Sequence, residues 1–381
     1  MMKKILVTVM TLGILLSFCA CRSNTDSAED MGETHMKETL ETMTAEEIRM
    51  AEYTEYLRSV TYLDFELTGS DEPYYMGRWF EKSLRGEKYM ATLTDGSLLY
   101  FLIDGAESFD VIFHENTTIY TPYFAYSIDG GEPVRQLITD KTVMLPDTGK
   151  HTVRIIADGM DESEGKWKYE KGFCLRDIIP SDGGAMFGIR PKNKVIFYFG
   201  DSITEGIYAL EASPLGNSAT NSYPWHCSEK LGAVTYSVGY GGSGITREGS
   251  FNTFIMAIDH ISTNREVSDG IMPDVIVINH GTNDYGRATD KEFVDGLKGA
   301  LDRLREKYPE TPIVYMVPFS QRNARNIINV IPTYENAYFV KTNSWGISCT
   351  DSFHPNAEGA KKAGEKLADA LVNILGEDFF G

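Results

Sequence analysis

The sequence predicts an α/β chain in two parts: an all-β jelly-roll or sandwich domain, followed by a three-layer α/β domain with a parallel sheet. Three observations predict it. The middle of the chain is a succession of short β-rich runs broken by Asp-Gly pairs, a dipeptide that supplies the positive φ of tight reversals. After Gly184 the texture changes to continuous apolar runs separated by helical stretches, the pattern of a parallel sheet buried on both faces. The 381 residues exceed one typical domain, and a hydrophobic content of 42% is enough for more than one core.

Taken in order, Lys3 and Lys4 precede an apolar run at 5–18 that ends in Cys19-Ala20-Cys21, after which the chain turns polar. This is the pattern of an export signal, and the run is too short to span a bilayer with ordinary flanks. A small residue directly before a cysteine suits a bacterial lipoprotein signal peptidase. Residues 1–21 are therefore read as a lipoprotein signal, with Cys21 the lipidated first residue of the mature protein; a plain secretory peptide cut nearby is the alternative. Either reading makes the protein exported, and the first anchors it by lipid at the cell surface. Residues 22–60 form an acidic, Ser/Thr-rich tether and then a short helix, opened by the capping box Thr44-Ala45-Glu46-Glu47 and running to about Arg58.

Residues 61–185 carry β runs at 98–103, 109–113, 142–145 and 151–156. Asp-Gly pairs punctuate them at Asp95-Gly96, Asp104-Gly105, Asp129-Gly130, Asp158-Gly159 and Asp182-Gly183, as in a sandwich or jelly roll. Residues 186–381 carry apolar strands at 195–199, 234–238, 275–278 and 313–317, with helices at 225–231, 291–307 and 357–375 between and after them. That alternation gives a three-layer domain.

A formal charge of -19 repels phosphate backbones and anionic lipid head groups, which excludes nucleic acid and leaves the lipid anchor as the membrane contact. A neutral polymer is the easier partner. Once the leader is removed, Cys174, Cys227 and Cys349 remain, an odd number that cannot form a complete disulfide framework and is read as buried thiols. No Cys-x-x-Cys or His-x-x-x-His spacing occurs and the seven histidines are scattered, so no metal is expected.

Four blocks carry chemistry. Gly200-Asp201-Ser202-Ile203-Thr204-Glu205-Gly206 follows the first strand of the α/β domain and sets a serine just past its carboxyl end, where open sheets bind ligands. Ser237-Val238-Gly239-Tyr240-Gly241-Gly242-Ser243-Gly244 follows the second strand, and its glycines let backbone N–H groups face an anion. Gly281-Thr282-Asn283-Asp284 follows the third and offers a side-chain amide to an oxyanion. Asp351-Ser352-Phe353-His354-Pro355-Asn356 precedes the last helix; if it makes a helical turn, the carboxylate lies beside the imidazole and fixes one ring nitrogen as a donor.

Together, in one domain and in this order, the blocks resemble the Ser, Gly, Asn and His blocks of the SGNH (GDSL-type) hydrolase superfamily. The resemblance implies Ser202 as nucleophile, His354 as general base and then acid, and Asp351 as the residue orienting it. It implies an oxyanion hole from the Ser202 N–H, a glycine N–H and the Asn283 side chain; Gly242 is the aligned glycine and Gly244 an alternative register. Asn221-Ser222-Tyr223-Pro224 ahead of a helix adds to the likeness. The β-rich part, with Gly77-Arg78-Trp79, Tyr126-Ser127-Ile128-Asp129-Gly130-Gly131 and Gly149-Lys150-His151-Thr152-Val153-Arg154, is similar to the jelly roll of the second carbohydrate-esterase family, the acetyl xylan esterase-like enzymes. The implied activity is removal of acetyl groups from carbohydrate through an acyl-enzyme, with no cofactor. Esterase or lipase action on small lipids or thioesters, deacetylation of peptidoglycan or an exopolysaccharide, and inert carbohydrate binding are the competing readings. Tyr240, Trp345 and His280 are candidates to line the substrate pocket and Trp225 could stack on a sugar, set against plainer readings of His280 as a satisfied strand-end histidine, Trp225 as helix packing and Trp345 as loop packing. The β-rich domain is expected to wall one side of the substrate groove.

Overall fold

The computed structural model describes residues 44–114, 120–161, 165–248 and 252–381. The leader, Cys21 and the acidic tether lie outside the described residues. The chain divides into two units, Met1–Glu55 and Tyr56–Gly381. Most of helix α1, Ala45–Ser59, is the described part of the first. Its capping box forms, the Thr44 N–H donating to the Glu47 carboxylate at 2.7 Å and the Glu47 N–H to the Thr44 hydroxyl at 3.2 Å.

The second unit contains both the sandwich and the α/β region. The sandwich strands are β1 Phe65–Leu67, β2 Tyr74–Met76, β3 Trp79–Leu84, β4 Glu87–Thr92, β5 Leu98–Asp104, β6 Ser108–Phe113, β7 Tyr123–Ile128, β8 Val134–Leu137, β9 Thr142–Met144 and β10 His151–Gly159. After the one-turn helix α2, Lys166–Tyr169, follow β11 Phe173–Pro180 and β12 Ala185–Pro191. One antiparallel sheet runs β1-β12-β5-β10-β7-β8, with β2 also on β5; the other runs β3-β4-β11-β6-β9. Alternate residues of the two sheets, among them Leu99, Phe101, Val111, Phe124, Val153 and Leu175, interdigitate as one core. The sandwich extends past the expected limit at residue 185: β12 completes its sheet, Ala185 lying opposite Asp104 and Pro191 opposite Phe65.

Gly96, Gly105, Gly130 and Gly183 have φ of +86°, +79°, +74° and +86°, so four of the Asp-Gly pairs are reversals. Asp158-Gly159 is not a turn but the end of β10. A Cβ on Gly159 would lie 2.1 Å from the Asn217 carbonyl oxygen, so the missing side chain lets the sandwich approach the α/β region closely.

That region comprises β13 Val195–Gly200, α3 Ser202–Glu205, α4 Tyr223–Leu231, β14 Val234–Gly239, α5 Phe254–Asp259, the hairpin β15 His260–Ser262 and β16 Arg265–Glu266, β17 Val275–Asn279, α6 Asp290–Lys307, β18 Ile313–Met316, α7 Ala324–Val330, β19 Ala337–Val340 and α8 Ala357–Leu375. Its parallel sheet has the order β14-β13-β17-β18-β19, the flavodoxin-like winding whose switch point falls beside the first strand. Ile196, Tyr198, Val275, Val277 and Val314 pack on Cys227 of α4 and on Leu367 and Leu371 of α8. Cys174 and Cys227 are buried free thiols, and burial pushes the Cys227 thiol up to about 12. Cys349 is only half-buried, in a loop rather than the core.

Polar groups join the two regions. Arg154 of β10, almost fully buried, meets Glu229 of α4 at 2.7 Å. Asp158 accepts from the hydroxyls of Ser218 at 3.0 Å and Thr220 at 2.7 Å, and the Arg135 guanidinium donates to the Asn217 carbonyl at 2.7 Å.

Candidate active site

Strand register assembles the site. Gly200 at the end of β13 lies opposite Gly239 of β14 and Asn279 of β17, so the first three blocks leave the sheet side by side. Ser202 is the first residue of α3, whose cap is Asp201: the Asp201 carboxylate accepts from the Ile203 N–H at 3.0 Å. A residue at that position has no preceding helical carbonyl to receive its N–H, and Ser202 is half-buried.

His354 Nε2 lies 2.8 Å from Ser202 Oγ, and His354 Nδ1 lies 2.7 Å from Asp351 Oδ2. The Asp351–His354 segment does not make a helical turn. Asp351 instead closes an Asx turn, its other oxygen accepting the N–H groups of Phe353 and His354 at 2.7 Å each. Burial works against the charge on Asp351, but these backbone bonds and the His354 ring outweigh it and hold the carboxyl below the ordinary carboxylate value. Such an array can withdraw the proton of Ser202 through His354 while Asp351 fixes the imidazole's tautomer and steadies the imidazolium.

In the second block, the Ser243 N–H donates to the Tyr240 carbonyl at 3.2 Å, closing a turn whose third residue, Gly242, has φ of +73°. A type II turn requires that conformation and therefore glycine. The Gly244 N–H is committed to the Arg247 carbonyl at 3.2 Å, which leaves Gly242 as the glycine whose amide stays outside the loop's own bonding. The Asn283 amide donates to Asp201 Oδ2 at 3.1 Å and to the Ser243 carbonyl at 2.8 Å. Both its N–H groups are thus engaged within the three blocks, and stabilising an oxyanion requires sharing one of them. Asp284 ties the second block to the third, accepting from the N–H groups of Ile245 at 3.0 Å and Thr246 at 2.7 Å.

Three expected pocket residues are elsewhere. Tyr240 is fully buried, its hydroxyl donating to the Ile261 carbonyl at 3.1 Å and its ring edge-on to Trp167. His280 is buried against Phe254, and loss of solvent, only partly opposed by Asp284, pushes it down to about 4. Trp345 packs beside Phe319 in the α/β core. Each is apolar or neutral enough to fill space beneath the site, and the sheet's double burial uses it so. Trp225 is also buried, under the Arg154 guanidinium at 4.9 Å.

Residues the sequence reading missed flank the triad. Tyr208 stands edge-on to His354 at 5.2 Å. Exposed Tyr285 and Phe353 sandwich the Arg322 guanidinium at 5.0 Å and 4.8 Å. A cavity of about 310 Å³ beside the triad is lined by Ile203, Thr282, Phe319, Ile347, Cys349 and Phe353, among others. All its lining belongs to the α/β region, so the sandwich does not wall it. The signal that could have found Tyr285 and Phe353 is their position, two residues after Asn283 and one before His354.

Residues 198–362 match the GDSL-like lipase/acylhydrolase family. The α/β region is a domain of that kind, and the chain is by class a carboxylic ester hydrolase. No curated protein sequence matches it. Among solved structures, it is similar to a family two carbohydrate esterase from Clostridium thermocellum in complex with cellohexaose, with 19% identity and a TM-score of 0.65 over 80% of this chain and 99% of that one. An acetyl xylan esterase from the rumen bacterium Butyrivibrio proteoclasticus is similar at 16% identity and a TM-score of 0.62, over 84% and 100% of the two chains. A salicylyl-acyltransferase from a tetracycline biosynthetic pathway matches at 15% identity and a TM-score of 0.59, over 82% and 98%. The fold is thus the two-part architecture of the family two carbohydrate esterases, with the sandwich ahead of the hydrolase domain.

Proposed function

We propose that the protein is an exported serine esterase that removes acetyl groups from carbohydrate, anchored through Cys21. The observation that carries the reading is the hydrogen-bonded row from Ser202 through His354 to Asp351. Ser202 attacks the ester carbonyl as His354 takes its proton; His354 then protonates the leaving sugar hydroxyl. Water, deprotonated by the same imidazole, releases acetate from the acyl-enzyme. The oxyanion is held by the N–H groups of Ser202 and Gly242 and by Asn283, which shifts one N–H from its resting partner.

Carbohydrate is favoured over lipid because the triad opens to solvent and the exposed Tyr285 and Phe353 rings offer faces to a sugar. The charge of -19 disfavours anionic surfaces. The folds of an acetyl xylan esterase and of a cellohexaose-bound esterase support the same choice. One observation favours a second reading: the cavity beside the triad leaves room for an acyl group longer than acetyl. Acid release measured on acetylated xylan, glucomannan and peptidoglycan and on model esters of increasing chain length separates the two. Efficient turnover of an acetylated polysaccharide is expected; a marked preference for long-chain esters with no release from any polysaccharide would refute the carbohydrate reading. In the same assay Asn283→Ala is expected to slow kcat by about 10²- to 10³-fold.

A further inference from the structure

We infer that Lys166, which comes from the sandwich, is a positioning residue for the nucleophile: through Glu205 it holds the short helix on which Ser202 stands. This inference rests on the role proposed above for Ser202. Helix α3 is a single turn, with Ser202 its first residue and Glu205 its last. One turn has little rigidity of its own, so its direction must be fixed from outside. The outside contact is ionic. The Lys166 ammonium bonds the Glu205 carboxylate and lies 3.3 Å from Asp95 Oδ2, and the side chains of all three are fully buried.

Two of the three charges belong to the sandwich, Asp95 in the turn before β5 and Lys166 at the start of α2, while Glu205 belongs to the nucleophile's turn. The backbone of Glu205 is braced from the other side by β14, where a Cβ on Gly239 would come within 2.7 Å of the Glu205 nitrogen. The turn is therefore gripped between a strand and a salt bridge. The chain leaving α3 is held by the sandwich as well: Ser218 donates its N–H to the Gly206 carbonyl at 3.0 Å and its hydroxyl to Asp158 at 3.0 Å.

A buried ionic cluster is a poor device for stability alone, because well-packed apolar side chains of similar volume often serve as well or better. What it supplies is direction: an ammonium meets its carboxylates in a narrow range of geometry, and a methionine in the same space would not. Misplacement of a reacting group by about 1 Å costs on the order of 10²-fold in rate. The sandwich thus contributes to the reaction by fixing where Ser202 points, rather than by lining the cavity beside the triad.

The test uses the full chain and compares Lys166→Met, Lys166→Arg and the charge-balanced pair Lys166→Met with Glu205→Gln. The readouts are cooperative thermal unfolding, kcat and KM on a small activated acetate ester, and the rate at which a fluorophosphonate labels Ser202. The inference expects the charge-balanced pair to unfold cooperatively and keep KM within about twofold, while kcat and the labelling rate both fall by about 10- to 100-fold. Lys166→Arg recovers part of the loss. A folded charge-balanced pair with wild-type kcat and labelling would overturn the inference and make the cluster structural only. If both methionine variants fail to fold, Lys166→Arg decides: wild-type kcat and labelling there overturn it, and a fall in both at unchanged KM supports it. Failure of the fluorophosphonate to label Ser202 in the wild type would instead refute the nucleophile assignment on which the inference rests.

Discussion

Asp201 carries an uncommon burden for a residue next to the proposed nucleophile. Burial raises its carboxyl to about 7, nearby Asp284 adds to the rise, and the Ile203 N–H opposes it. The unfolded chain loses this proton near the ordinary value of 3.8, whereas the folded chain keeps it to about 7. Between those values the native state binds more proton, so stability falls as pH rises through the window, and the full penalty of the charge is present above about 7. Asp201→Asn removes the charge and is expected to flatten this part of the profile. It also sets an amide donor against the Asn283 amide, so turnover should drop. Denaturant melts at pH 5 and pH 8 check this: the wild type should lose more stability than the variant between the two, and identical losses would refute the assignment. Ser202, His354 and Asp351 form one hydrogen-bonded row and Asn283 bonds the neighbouring Asp201, a cluster legible in the sequence because each of the four follows a strand end or precedes a helix. Of the pocket candidates, Tyr240 misled most, because sequence distance from a block says nothing about which way a side chain faces; His280 and Trp345 pack as their plainer readings had it. Tyr240 belongs to the Gly-rich loop and still turns into the core, where Trp167 and the Ile261 carbonyl receive it.

At the scale of elements, the apolar runs gave four of the five parallel strands within a residue of their ends. The fifth, β19, has only one fully buried residue, and a half-exposed four-residue edge lacks the continuous apolar run that marks the others. The three longest helices of the α/β region, α4, α6 and α8, were legible while the short α3, α5 and α7 were not; α8 follows the cap Asn356, whose side chain accepts the Gly359 N–H at 2.8 Å. Asp158-Gly159 was the misleading pair, since its composition is that of a turn and its use is a close approach between regions. That use makes a prediction. Gly159→Val puts a branched side chain where Asn217 sits, and Asn217 Oδ1 accepts the N–H of Tyr208 at 3.1 Å, the residue whose ring abuts His354. The variant is expected to be less stable by about 1 to 3 kcal/mol, as for other overpacked sites, and to lose activity as well. Thermal unfolding and kcat measured together check it, and a wild-type melt with wild-type kcat would contradict the close approach.

For the whole molecule, the two predicted domains exist as regions but share one compact unit. A break in sequence texture reports where secondary structure changes, not how tightly the parts are joined. The boundary slipped to Pro191 because β12 finishes the sandwich sheet, and the regions are joined partly by ion pairs and hydrogen bonds, which no hydrophobic pattern announces. Removing the sandwich would strand Glu205 without its buried partner. Breaking such a pair costs about 3 to 5 kcal/mol, a large share of the roughly 5 to 15 kcal/mol by which proteins are stable. The sandwich is therefore part of the enzyme's fold rather than a detachable module, and the full chain is the object on which catalysis must be measured. The most direct measurement compares acetate release by the full-length wild type and by Ser202→Ala, with folding of both verified by their melts. The account predicts that Ser202→Ala unfolds like the wild type and loses roughly 10⁴- to 10⁶-fold in kcat. A folded Ser202→Ala protein releasing acetate at close to the wild-type rate would contradict it.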